Sequence, residues 1–152
     1  MTSWVLLRGL TRESRHWGAF PDVLATRFPG APVVAPDLPG NGRRNGERSP
    51  CSIAAMAGAC RRAVAAAGVA PPYVVLALSL GAMVAVEWAR RHPGDVDGLV
   101  LVNTSFRPHA PLRWRLRPAN YGTLLRLPWT SVDLREQAIL RLTSTRAHDA
   151  GT

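Results

Sequence analysis

No lysine occurs among the 152 residues; all 19 basic side chains are arginine, set against ten acids, for a formal net charge of +9. Isoleucine is scarce as well, present only at Ile53 and Ile139, while Ala, Gly, Pro and Arg abound. This pattern suits a coding bias toward GC-rich codons and takes most of the meaning out of the charge. Residues 1–103 hold 11 arginines and seven acids, and residues 104–152 hold eight and three, so the excess is scattered. A nucleic-acid face would show a basic stripe with interleaved aromatics, and charge alone speaks to association rather than fold; no nucleic-acid partner is expected. Long apolar runs are also lacking. None approaches the ~20 residues of a membrane span, and the start Met1-Thr2-Ser3-Trp4 has neither a positive n-region nor a small-residue cleavage site. A cytoplasmic protein without membrane contact is expected. Only two cysteines occur, Cys51 and Cys60. On one helix nine positions correspond to about 13 Å of rise, too far to bridge, so both read as free thiols in a reducing compartment. Neither Cys nor His shows metal-ligand spacing, and there is no internal repeat.

What is present has the composition of a globular domain: 47% hydrophobic and 19% charged residues exclude disorder as the main state. The rhythm is strand, helix, strand, helix. Trp4–Leu7 reads as a first strand and His16–Phe28 as a helix, with Trp17, Phe20, Val23, Leu24 and Phe28 at helical spacing. Val33–Ala35 is a second strand ending at Asp37, followed by a loop over 38–50. Ser52–Gly68 is an Ala-rich helix with Gly68 as its stop. Tyr73–Ala77 is a continuous apolar strand, Leu80–His92 a helix stopped by Pro93-Gly94, and Gly98–Asn103 a fourth strand. Unalternating apolar strands separated by helices indicate an α/β fold with a mostly parallel sheet covered on both faces. From Thr104 the pattern changes to Pro and Arg clusters with two short helices, near Ala119–Leu127 and Val132–Leu142, and Thr130 and Asp133 as a capping pair. The expected organisation is a core over 1–103 and a helical cap over 104–152.

Ligands of such sheets sit at the carboxyl ends of the strands. Three loops leave strands in that direction: Arg8-Gly9-Leu10, Asp37-Leu38-Pro39-Gly40-Asn41-Gly42 and Ala77-Leu78-Ser79-Leu80-Gly81. The third places a serine between a buried strand and a helix, with small residues two positions before and two after. A nucleophile on a sharp strand-to-helix turn needs small neighbours there. The turn lifts the Ser79 hydroxyl above the sheet and aims the positive end of the following helix at the same point. In that arrangement the Leu80 amide is one oxyanion donor, and the Leu10 amide behind Gly9 is the second.

On these three loops, in this order, the chain resembles the α/β-hydrolase fold family, over about residues 4–103. Arg8-Gly9-Leu10 looks like its His-Gly-x oxyanion loop, and the Asp37–Gly42 segment like its Asp-x-x-Gly-x-Gly loop. Ala77–Gly81 looks like its Gly-x-Ser-x-Gly elbow. Arg8 stands in place of the usual His, and Ala77 in place of the first Gly. Asp37 is expected to orient its own loop, not to be the catalytic acid. The resemblance implies a serine hydrolase acting on a carboxylic ester of a small molecule. Ser79 would be the nucleophile, Leu10 and Leu80 the oxyanion donors, Gly9 and Gly81 the supports, with no cofactor and no metal. Alternatives are acyl transfer, amide or peptide cleavage by the same fold, or a non-catalytic interaction module.

The family's later acid and His are not found before residue 152, so a truncated copy of weak or no activity is expected. Asn103 holds the place at the end of the fourth strand where some relatives carry the acid. His92 reads as a helix-end residue favoured by the dipole and His16 as a surface residue at a helix start. His109 and His148 fall in the tail, and no base is assigned. Arg107, Arg113, Arg115 and Arg117 could favour an anionic substrate, although coding bias accounts for them more simply. The fourth strand, left at an open apolar edge, invites self-association.

Overall fold

The computed structural model describes residues 2–105, together with Gly122, Ser131, Leu134 and Ala138. The chain divides into two compact units, Met1–Ser105 and Phe106–Thr152. In the second unit Gly122, Leu134 and Ala138 are helical; the expected boundaries of its two helices, and the Thr130–Asp133 pair, lie outside the described residues.

The first unit is a four-stranded parallel sheet with three α-helices. The strands are β1 (Ser3–Leu7), β2 (Val33–Val34), β3 (Tyr73–Leu78) and β4 (Val96–Val102). The helices are α1 (Phe20–Arg27), α2 (Ile53–Ala66) and α3 (Leu80–Arg91). The strand order is β2-β1-β3-β4, all pairs parallel, so the fold is the α/β arrangement expected. β1 and β3 form the middle, with Ser3 opposite Tyr73 and Leu7 opposite Ala77. Their apolar runs follow from that position: Val5, Leu6, Leu7, Val75 and Ala77 are fully buried, each of the larger ones contributing about 1.5–3 kcal/mol. On one side Val84, Ala85 and Trp88 of α3, and Cys60 and Val64 of α2, close the core without exposure.

Local chemistry sets the helix limits. Ser52 caps α2 by accepting the amide of Ala55 at 3.1 Å, and Gly68 turns the chain out at φ 74°. The continuous helix expected over His16–Phe28 is two pieces. A 3-10 turn covers Ser14–Trp17, Gly18 breaks it at φ 54°, and α1 restarts at Phe20 with Pro21 in its first turn. The fourth strand begins two residues earlier than expected, at Val96, and ends before Asn103, which turns at φ 49°. Among the described residues no strand pairs with the far side of β4, where Leu99, Val100, Leu101 and Val102 are 36–41% exposed, although successive residues point to opposite faces. No helix among the described residues is long and apolar enough to cross a membrane.

Candidate active site

Three loops meet at the carboxyl ends of β1, β2 and β3. Ser79 joins β3 to α3 with φ 50° and ψ −114°, a region that a residue with a Cβ enters only when its surroundings hold it there. Backbone hydrogen bonds supply that hold. The Ser79 amide donates to the Val102 carbonyl at 3.0 Å, continuing the β3–β4 ladder past the end of the strand. The Ser79 carbonyl accepts from Ala82 N at 3.0 Å, Met83 N at 3.3 Å and Thr104 Oγ1 at 3.2 Å. Its hydroxyl does not cap α3, no described side chain hydrogen-bonds it, and the residue is exposed. Serine normally caps helices; this one is turned outward instead.

The glycines on either side explain the closeness of the packing. A Cβ on Gly81 would lie 2.5 Å from the Arg8 carbonyl oxygen and 2.8 Å from that of Leu7, so α3 starts almost in contact with the end of β1. A Cβ on Gly9 would stand 3.2 Å from Ser79 Cβ and 3.8 Å from its Oγ. The loop after β1 therefore presses on the serine, and the next amide, Leu10, belongs to that loop. Leu80 is the first residue of α3, whose N–H has no intrahelical acceptor. The exposed Ser79 hydroxyl thus stands at a positive helix end.

Asp37 does more than hold its own loop. Its buried carboxylate accepts the Ser14 amide at 2.6 Å, the Ser14 hydroxyl at 3.4 Å and the Arg43 amide at 2.9 Å. Gly42, at φ 52°, leaves room for it, since a Cβ there would collide with the carboxylate. Asp37 thereby ties the loop after β2 to the 3-10 turn that follows β1. Sequence reasoning saw the first link but not the second, because Ser14 is a tertiary neighbour.

Arg8, in the position expected for a His, lays its guanidinium over the Trp17 ring, 4.9 Å from the centroid. Trp17 in turn stacks on Phe20 at 5.6 Å. Burial, then the nearby Arg12 charge, pulls the Arg8 pKa below the ordinary arginine value. Two buried donors here have no hydrogen-bond acceptor, Arg8 Nε and Trp17 Nε1.

Neither described histidine hydrogen-bonds Ser79. His16 Nδ1 accepts the Glu13 amide at 3.1 Å, within its own turn. His92 is exposed and ends α3 at the pole opposite Ser79. His109 and His148 lie outside the described residues, as do Arg107, Arg113, Arg115 and Arg117. Cys51 and Cys60 are both free, the first exposed and the second buried; burial pushes the Cys60 thiol up to about 12. Two hollows on the surface, of about 390 and 310 Å³, are lined by Arg61, Tyr73 and Asp95 and by Asp37, Arg44 and Val64, respectively, and neither includes Ser79.

A sequence profile described as the alpha/beta hydrolase family matches residues 4–150. The chain belongs to the alpha/beta hydrolase family. Uncharacterized protein Rv2715 of Mycobacterium tuberculosis is 33% identical over 129 residues, which is 82% of this chain and 37% of that protein. Among solved structures, a thermophilic esterase from Thermogutta terrifontis is 26% identical, with a TM-score of 0.61 over 73% of this chain and 40% of that one. A carboxylesterase structure from Nitrososphaera gargenis superposes with a TM-score of 0.72, covering 99% of this chain and 54% of that one at 20% identity, and speaks to the fold alone. The chain thus spans little more than a third of its curated relatives and about half of these structures.

Proposed function

We propose that this hydrolase-family chain carries the nucleophile and the oxyanion donors of a serine hydrolase acting on carboxylic esters. The observation that carries the reading is the left-handed Ser79 between β3 and α3, its hydroxyl uncommitted and exposed, with Gly9 packed against it. In the reaction Ser79 Oγ attacks the ester carbonyl carbon while its proton passes to a general base. The Leu10 and Leu80 amides hold the oxyanion, and collapse of the intermediate releases the alcohol. Water then cleaves the acyl-serine. The base and its acid partner come from outside the described residues. Without them a serine hydroxyl is a poor nucleophile, and rates fall by ~10⁴ to 10⁶. The likeness to an esterase at 26% identity favours an ester over other acyl bonds.

The test uses p-nitrophenyl butyrate and a fluorophosphonate probe with the chain and its Ser79→Ala variant. Slow covalent labelling at Ser79, mapped by peptide mass, is expected, with ester turnover reduced to the buffer rate in the variant. Turnover that survives Ser79→Ala refutes the reading.

A further inference from the structure

Thr104 lies just beyond the end of β4 and takes no part in the acyl-transfer steps, yet its hydroxyl donates to the Ser79 carbonyl at 3.2 Å. Among the described residues this is the one side-chain hydrogen bond to the Ser79 backbone. That carbonyl is one end of the peptide unit joining Ser79 to Leu80, and the Leu80 N–H is the other. A peptide unit is planar, so whatever holds the oxygen also aims the N–H. The Ser79 torsions, φ 50° and ψ −114°, set this plane against the preceding one, and they lie outside the usual wells. The tail of β4 grips both planes. The Val102 carbonyl holds the Ser79 N–H of the first at 3.0 Å, and the Thr104 hydroxyl holds the Ser79 C=O of the second. Asn103 stands between the two anchors at φ 49°, a conformation that Asn visits more readily than most residues. Ala82 and Met83 donate to the same oxygen, but they belong to the helix that Leu80 begins and move with it. Thr104, half-buried, ties the plane to the sheet instead.

We infer that Thr104 is a positioning residue, whose hydroxyl fixes the Ser79–Leu80 peptide so that the Leu80 N–H is aimed at the forming oxyanion. A donor on the oxygen of an amide also polarises the unit and strengthens its N–H as a donor. The kinetic effect rests on the serine-hydrolase reading, whereas the tether itself is read without turnover.

The test compares Thr104→Val, which keeps the shape and removes the hydroxyl, with Thr104→Ser, which keeps the hydroxyl. Thr104→Ala is a second hydroxyl-free chain should Thr104→Val fold poorly. The Leu80 amide in ¹H–¹⁵N spectra of the full chain reports the tether. It is expected to move upfield in Thr104→Val and to stay near the wild-type position in Thr104→Ser. Saturation kinetics of Ser79 labelling by a fluorophosphonate report the chemistry, since the phosphoryl oxygen takes the oxyanion's place. Outright removal of an oxyanion donor costs ~10²–10³ in rate. A misaimed one should lower the limiting labelling rate about tenfold, with the half-saturating probe concentration unchanged, and Thr104→Ser should restore the rate. A Leu80 resonance that stays in place in the hydroxyl-free variants overturns the tether. Equal loss of labelling rate in Thr104→Val and Thr104→Ser overturns the positioning role, because side-chain bulk rather than the hydroxyl would then matter. If Ser79 is labelled at the same rate in every variant, the hydrolase reading stands and the positioning role falls. If the wild-type chain is never labelled while the Leu80 resonance responds as expected, the hydrolase reading fails and the tether stands.

Discussion

Replacing Gly81 with alanine should destabilise the protein, while the same replacement at Gly58 should stabilise it. Both residues lie inside helices, α3 and α2, where alanine is intrinsically favoured by about 0.8–1 kcal/mol. At Gly58 the new methyl meets only the far end of the Arg62 side chain, at 3.4 Å, which can swing aside. At Gly81 it meets the Arg8 and Leu7 carbonyl oxygens at 2.5 and 2.8 Å and the Leu7 carbonyl carbon at 3.0 Å. These are backbone atoms at the end of a central strand whose Val5, Leu6 and Leu7 are fully buried, and they cannot rotate away. Overpacking of this kind costs about 1–3 kcal/mol, and rigid surroundings favour the upper end. Set against the helix preference, the net loss is about 2 kcal/mol at Gly81 and the net gain somewhat under 1 kcal/mol at Gly58. For a chain of this size each kcal/mol moves Tm by about 2–4 °C. Far-UV circular dichroism melts should therefore show Gly81→Ala some 4–8 °C below the wild type and Gly58→Ala about 2 °C above it. A Gly81→Ala protein melting at or above the wild type would refute the close approach of α3 to β1, and with it the geometry that brings the loop after β1 against Ser79.

Three further outcomes follow from the same contacts. Asp37→Ala strands two backbone donors, Ser14 N and Arg43 N, and should lower the urea midpoint by the equivalent of about 2–4 kcal/mol; Asp37→Asn, which keeps one oxygen, should lose less. Iodoacetamide at pH 8 should modify Cys51 and leave Cys60 untouched until the chain is unfolded, because the buried thiol sits near pKa 12; peptide mass mapping reads both sites. Burial pulls the Asp95 carboxyl up, but hydrogen bonds from Arg61 and Trp88 Nε1 outweigh it and hold the group below its ordinary value of 3.8. A depressed carboxyl contributes stability above its unfolded pKa and loses that contribution as pH falls through the folded value. Asp95→Asn should thus be clearly less stable than the wild type at pH 7 in urea titrations, with the gap narrowing below about pH 4.

The apolar blocks Trp4–Leu7 and Tyr73–Ala77 and the helix from Leu80 were legible in the sequence because burial on both faces leaves an unbroken hydrophobic run. The turn at Ser79 was legible from the small residues two positions to either side, although the atoms that require a glycine at Gly81 are the remote Leu7 and Arg8 carbonyls. Less was legible where the deciding partner is remote. Apolar spacing over 16–28 mimics one helix, yet Gly18 and Pro21 divide it, and the first piece is anchored by Asp37, about twenty residues on. Val96 joins the fourth strand because Tyr73 is there to pair with it, and Asp97 falls at the register shift before Val74 meets Gly98, neither of which is set by local composition. The stacking of Arg8 on Trp17 has no signature in spacing at all; an arginine in place of a histidine marked the position as unusual but did not indicate its neighbour.

The strand order carries a consequence for how the chain is made. β1 precedes the other three strands in the chain, yet its principal partner is β3, with Ser3 beside Tyr73, about seventy residues later. At about 5–20 residues per second, the run Val5-Leu6-Leu7 waits several seconds on the ribosome before the strand that buries it has been translated. β2, only two residues long, offers little shelter in the meantime. The Ala-rich α2, formed from local contacts, can fold during that interval. Completion of β3 then brings Val5, Leu6 and Leu7 into the sheet and places Gly9 against Ser79 in the same event, so the candidate catalytic serine and the loop that serves it are assembled together at the moment of translation when the centre of the sheet closes.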